Sequence, residues 1–244
     1  MTIKTFQDLV DYYRTTPQFL SLRNRTQRDY DYCINRAVET FFSPKVTMGR
    51  TILGKIGVSE CKKAYQQWLN RGIRTANMTA TVSSVLFNTA VELELIPNNP
   101  MKHVTKMQTQ PRKVMWTEDQ VRLFLDTAYG EYKWRSIGLI VHMAYSFAQR
   151  IGDMRTLEWS NINFEERRLD LEQSKKRAEV HLPIKDSMHR MLEQQRKDFG
   201  FQKYVAPHPY PRGGRYAIYS DIDIGVQVNQ VKRVAGLPKD LTAM

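Results

Sequence analysis

The sequence predicts a mainly α fold with a small antiparallel β-sheet, divided into a four-helix N-terminal domain and a mixed α+β second domain. Three observations carry that prediction. Residues 1 to 96 place apolar side chains at helical spacing, a proline-punctuated segment follows, and beyond it one stretch switches from helical spacing to the alternation of strands. An apolar fraction of 41% over 244 residues is enough to fill one large core or two small ones.

In the first domain the helical segments are FQDLVDYY, RTQRDYDYCINRAVETFF, SECKKAYQQWL and TANMTATVSSVLFNTAVELELI. Tyr30, Ile34, Ala37, Val38 and Phe41 form one apolar stripe, and Val82, Val85, Leu86, Ala90 and Leu93 another. Ser59 precedes the third helix, Asn77 to Thr79 supply a start for the fourth, and Pro97 closes it. Four short amphipathic helices make a compact bundle over residues 1–98. Pro97, Pro100 and Pro111 then punctuate a stretch without periodicity, which predicts a linker over 99–113.

The second domain, 114–244, restarts with Thr117-Glu118-Asp119-Gln120, a capping-box signature for a helix through Leu125. A second helix, with Ile137, Ile140, Val141, Ala144 and Tyr145, reads as buried because it carries few polar positions. Leu169 and Leu171 before a polar run, and Val180 and Leu182 after it, alternate as the arms of a β-hairpin. Helices follow at about 186–198 and 222–235, read from the same periodicity.

Charge narrows the function classes. The chain carries 37 Lys and Arg against 25 Asp and Glu, a net +12, and +8 of it falls in residues 1–112. Such an excess in a folded protein points to a polyanionic partner, foremost nucleic acid. No stretch approaches the roughly 20 apolar residues of a membrane-spanning helix, so a membrane protein is excluded and no membrane partner is expected. The acid-containing start MTIKTFQDLVDYYR reads as neither a signal nor a transit peptide, so a cytoplasmic protein, mature from Met1, is expected. Cys33 and Cys61 are expected as core thiols, and His103, His142, His181, His189 and His208 lack metal-ligand spacing. No glycine-rich phosphate loop, HExxH or GxSxG is present, and the acids are too scattered to hold magnesium, so neither a metal nor a cofactor is expected.

One segment, AYSFAQRIGDMRTLEWSNINFEERRLDLEQSKKRAEVHLPI at 144–184, carries a resemblance. Arg150 follows a buried helix, Asp153 lies three residues on, and Leu157 and Trp159-Ser160-Asn161-Ile162 lead into the hairpin that holds Lys175 and Lys176. This order resembles the first conserved box and the lysine hairpin of the tyrosine recombinase (phage integrase) family. VLFNTAVELELIPNNP likewise resembles the end of that family's helical core-binding domain. The resemblance implies a four-helix, SAM-like core-binding domain followed by an α+β catalytic domain, closing on duplex DNA as a clamp.

It also implies a chemistry. A tyrosine hydroxyl attacks a DNA phosphodiester, giving a 3′-phosphotyrosyl link and a free 5′-hydroxyl that later attacks a partner strand, without a metal. Fixed cations must then stabilise the phosphoryl oxygens. Arg150 is the implied phosphate ligand, since a guanidinium gives two parallel hydrogen bonds and stays protonated. Lys175 is the implied proton donor to the leaving 5′-oxygen, with Lys176 as the alternate. Asp153 supports that region. For the duplex itself, Arg23, Arg25, Arg28, Lys62, Lys63, Arg71 and Arg74 are candidate phosphate contacts, and Asn77, Thr79 and Ser83 candidate phosphate or base contacts. The family works as a tetramer on two DNA sites, sometimes with DNA-bending accessory proteins, in a bacterial or phage-infected cell close to the nucleoid. The free chain is expected to be a monomer.

One part of the pattern is missing. The family's second box is His-x-x-Arg, and no histidine here has an arginine three residues on; His208 and Arg212 are four apart in a Pro/Gly-rich loop. Tyr210, Tyr216 and Tyr219 lie before the place where the box would begin, which argues against any of them as nucleophile and for loop or core roles. The sequence therefore reads as a truncated catalytic domain that binds duplex DNA without cleaving it. The alternative is a non-catalytic remnant that occupies or competes for recombination sites.

Overall fold

A computed structural model describes residues 2–110, 114–175, 177–211 and 213–241. The chain divides into two compact units, Met1–Pro111 and Arg112–Met244. Among the described residues no helix is long and apolar enough to cross a membrane.

The first unit is built from α1 (Phe6–Thr15), the single turn α2 (Pro17–Leu20), α3 (Asn24–Val38), α4 (Val58–Leu69) and α5 (Ile73–Glu92), with a short hairpin of β1 (Phe41–Ser43) and β2 (Val46–Thr47). Thr5 caps α1: its hydroxyl accepts from the Asp8 N–H, and its own N–H donates to Asp8 Oδ2 at 2.8 Å. Those backbone bonds hold the Asp8 carboxyl below its ordinary range. The apolar stripes of α1, α3, α4 and α5 close one core, in which Phe6 meets Phe87 at 5.4 Å and both cysteines are buried. Burial pushes the Cys61 thiol up to about 12, as suits an inert core group.

Four expectations for this unit need correction. The second helix ends at Val38 instead of running through ETFF; Phe41 and Phe42 pass into the hairpin, and Phe41 is exposed. Helix α4 is capped from Gly57, whose N–H donates to Glu60 Oε2 at 3.1 Å, and not from Ser59. The start of α5 lies at Gly72, whose φ of +100° favours glycine, so Asn77 and Thr79 are interior to the helix. Finally, much of the expected linker is packed. A 3-10 turn at Pro100–His103 puts Met101 and Val104 into the core, and Asn99 Nδ2 donates to the Ser84 carbonyl at 2.9 Å and to Asn88 Oδ1 at 2.8 Å. Beyond the turn, the Met107 N–H donates to the Tyr65 hydroxyl and its carbonyl accepts from Asn77 Nδ2. Residues 111–113 lie outside those described.

The second unit contains α6 (Glu118–Tyr129), α7 (Arg135–Phe147), α8 (Ile151–Arg155), the antiparallel strands β3 (Ile162–Asn163), β4 (Arg168–Glu172) and β5 (Glu179–Pro183) in the order β3-β4-β5, and helices α9 (Asp186–Phe199) and α10 (Asp221–Val234). The capping box predicted at Thr117 and Gln120 is formed, by bonds of 3.0 and 3.3 Å. The hairpin pairs Leu169 with Leu182 and Leu171 with Val180. Helix α7 runs through the core, and a Cβ on its Gly138 would stand 3.0 Å from Ala128 and 3.1 Å from the Tyr129 ring, so glycine sets the close approach of α6. Tyr145, read as part of the buried helix, is exposed.

Candidate active site

Helix α7 stops at Ala148, whose φ of +51° and ψ of +35° are left-handed. A non-glycine residue there costs roughly 1–2 kcal/mol. The reversal is closed by the Gln149 N–H, which donates to the Ala144 carbonyl at 3.1 Å. Arg150 then takes an extended conformation and caps α8, its carbonyl accepting from the N–H groups of Asp153 and Met154. Its guanidinium side chain stays 43% exposed, so it is anchored at one end and open to a ligand at the other.

Asp153 joins the parts of this site. Its side chain is 2% exposed; Oδ2 stands 3.8 Å from Arg150 Nη1, and Oδ1 accepts from the Ser174 N–H at 3.3 Å. Oδ2 is itself buried without a hydrogen bond. Burying a carboxylate costs free energy unless it is paired, so this one is a constraint on its neighbours. A second tether runs in parallel, from Gln173 Nε2 to Gln149 Oε1 at 2.7 Å. Together they tie the segment 149–153 to the β4–β5 turn. The turn is closed by the Gln173 N–H on the Ala178 carbonyl and the Arg177 N–H on the Gln173 carbonyl, with Arg177 at φ +52°. Lys175, next to the tethered Ser174, is exposed. Lys176 lies outside the described residues, as does Arg212.

The rest of the conserved-box resemblance is architectural. Leu157 is core, Trp159 Nε1 donates to the Phe199 carbonyl at 3.2 Å, and the Val205 N–H donates to the Leu157 carbonyl at 2.9 Å. Arg155, which sequence reading passed over, is a clamp: it donates to the Tyr219 carbonyl at 2.6 Å and pairs with Asp221 at 3.1 Å, fixing the start of α10 to α8. Its partners lie more than sixty residues away, and no local pattern announces them.

On the first unit, Arg23, Arg25, Arg28, Lys62, Lys63, Arg71 and Arg74 are all exposed. The three polar candidates on α5 fare differently. Thr79 and Ser83 are 0% and 1% exposed, and the Thr79 hydroxyl donates to the Thr75 carbonyl, so neither reaches DNA. Asn77 is half-buried and engaged at both ends of its amide, accepting from the Tyr65 hydroxyl at 2.6 Å and donating to Met107. Sequence reading also missed Arg36, which stacks on Tyr32 with 4.9 Å from its guanidinium carbon to the ring centroid. Arg36 and Arg71 line one cleft of about 490 Å³, with Asn35, Gln67 and the Glu39 carboxylate.

Residues 115–205 match the Phage integrase family, a span that takes in Arg150, Asp153 and Lys175. All of the matched residues lie in the second unit. A Haemophilus influenzae protein named as a proposed integrase/recombinase is 27% identical over 135 residues, 49% of this chain and 37% of its own length. Lambda integrase, solved as a dimer bound to a COC′ core site, superimposes with a TM-score of 0.79 at 17% identity, covering 98% of this chain and 65% of that one. The Tn1549 transposon integrase, in complex with a circular intermediate DNA, gives 0.76 at 15% identity, covering 98% of this chain and 83% of that one. The chain thus spans a little over a third of its curated relative and just under two thirds of that lambda integrase chain. Its fold is that of these two solved integrases, mainly helical with a small antiparallel sheet.

Proposed function

We propose that this chain is part of a site-specific tyrosine recombinase, and that it binds duplex DNA and sets one scissile phosphate against Arg150. The observation that carries the reading is the buried Asp153 carboxylate, which holds Arg150 and the Lys175-bearing turn to one another across 21 residues of sequence. Arg150 is the phosphate ligand and Lys175 the donor of a proton to the leaving 5′-oxygen. Asp153 is a positioning residue. The exposed arginines and lysines of the first unit supply phosphate contacts and salt-dependent affinity. Net charge of +12 opposes self-association, which supports a free monomer that assembles only on DNA.

These 244 residues contain no His-x-x-Arg pair to complete the phosphate cage, so DNA binding without strand cleavage is the expected activity. Mobility-shift titration on duplex DNA from about 50 to about 200 mM salt should show affinity falling steeply. Absence of retention at the low end would overturn the DNA reading. A nicked suicide substrate should trap no covalent protein–DNA adduct, and an adduct would overturn the second half. Sedimentation of the free protein should give one species of monomer mass.

A further inference from the structure

A cavity of about 450 Å³ in the second unit, lined from the turn before α7, from His208, Tyr210 and Tyr219, and from α10, shares no lining residue with the Arg150 site. Its size lies within the range of small-molecule pockets. Its floor is aromatic: the His208 and Tyr219 rings lie 4.9 Å apart at 35°, and Tyr219 is 1% exposed. Tyr210, 53% exposed, stands at the opening and is braced edge-on by Tyr132 at 5.7 Å. Two cations flank these rings, Arg233 on the exposed side of α10 and Lys133, whose ammonium sits 4.3 Å over the Trp134 ring. Gln227 and Gln230 bring side-chain amides to the same wall, the former accepting from Trp134 Nε1 at 3.2 Å. His208 Nδ1 is buried with no hydrogen-bond partner.

Each group answers a different part of one ligand. Aromatic faces take a planar heteroaromatic ring, amide N–H groups and an unmatched ring nitrogen take its polar edge, and cations take a phosphate. Among the described residues no carboxylate lines the cavity, and Glu131 reaches only the Lys133 ammonium, at 3.9 Å between two exposed side chains. We propose that this cavity binds an unstacked nucleotide, with its base against Tyr210 and its phosphate between Lys133 and Arg233. Stacking on an exposed aromatic ring requires a base free of its duplex neighbours, so the occupant is an unpaired nucleotide, on a single strand or free.

The test uses the whole chain, a fluorescein-labelled single-stranded oligothymidylate read by anisotropy, and thymidine monophosphate read by tryptophan quenching. Tyr210→Ala should weaken single-strand binding about tenfold. Arg233→Gln should weaken it less and lower its salt dependence. Both should leave duplex retention and the melting temperature unchanged. Quenching by the mononucleotide that Tyr210→Ala abolishes would assign the site to free nucleotide, and binding of the oligonucleotide alone would assign it to a strand. The proposal falls if neither ligand binds, if a folded Tyr210→Ala protein binds both as wild type does, or if duplex affinity drops in step with single-strand affinity. His208→Phe, which keeps a ring and removes the nitrogen, provides a second variant and should also weaken both ligands. The result does not depend on Arg150, so failure of the duplex reading would leave it standing.

Discussion

The surface of α3 to α5 in the first unit and the α8–hairpin junction in the second both present arginine, and they hold it in opposite ways. Arg71 and Arg74 stand at a helix connection, exposed and replaceable by neighbouring charge. Arg150 is tied by its backbone to α8 and faces a buried carboxylate that also grips the hairpin turn. Diffuse charge suits a partner whose phosphates repeat every few ångströms, because affinity there sums over many weak contacts. A single reacting phosphate needs a donor fixed in place before it arrives. On the proposed function, the contrast separates a gripping surface from a reacting centre without reference to net charge.

Removing the support beneath the first surface should have the largest effect. Phe87 is fully buried against Phe6, and Phe87→Ala should cost about 3–5 kcal/mol in urea denaturation. Duplex binding should fall with it, since the cations it displays are set by the packing of α1 and α5. In the second unit the matching experiment is Asp153→Ala. It strands the Ser174 N–H and frees Arg150, for an expected loss of about 1–3 kcal/mol. Hydrogen exchange should quicken at residues 173–178 and not in α6. Asp153→Asn keeps an acceptor for Ser174 and should recover most of that protection.

Between pH 7 and about 5 a shifted pKa is found in the second unit, at His142. His142 accepts or donates at 3.2 Å to the Tyr129 hydroxyl, and burial holds its pKa below the ordinary 6.5. As pH falls through that value the unfolded chain takes up the proton first, so stability is full above 6.5 and is lost below it, down to the folded pKa. The carboxylates with lowered values, Asp8, Asp170 and Asp198, act the same way only at more acidic pH, below their ordinary 3.8. Denaturation midpoints between pH 7 and about 5 should therefore decline in wild type and flatten in His142→Phe.

How much of this was legible depended on sequence distance. The capping box at Thr117 and the pairing of Leu169 with Leu182 involve neighbours and alternation, and the pattern spells them out. Arg150, Asp153 and Lys175 are proposed from their order, whereas the contact of the Asp153 carboxylate with the Ser174 N–H is one that the order does not state. The β1–β2 hairpin was hidden because Phe41 extends the apolar spacing of α3 while standing exposed in a strand. Arg155 and Arg36 were missed because a clamp and a cleft are defined by distant partners. Thr79 and Ser83 misled for a related reason: a short hydroxyl side chain fits a buried helix face as well as a wet one, and that of Thr79 bonds to its own helix backbone there.

That ambiguity yields the smallest and sharpest prediction. Arg74 and Thr79 lie five residues apart on α5, one exposed and one with no exposed surface. Neither Arg74→Gln nor Thr79→Val should change stability by more than about 0.5 kcal/mol and about 1 kcal/mol respectively, the second reflecting one lost helix-internal hydrogen bond. Their DNA behaviour should diverge. If Arg74 neutralises one phosphate, its loss lowers the slope of log affinity against log salt by about one. Thr79→Val should leave both slope and affinity unaltered, because a side chain with no exposed surface has no route to the duplex. A changed slope in Thr79→Val would mean that α5 turns this face outward when DNA binds, so that core and grip divide elsewhere along that helix.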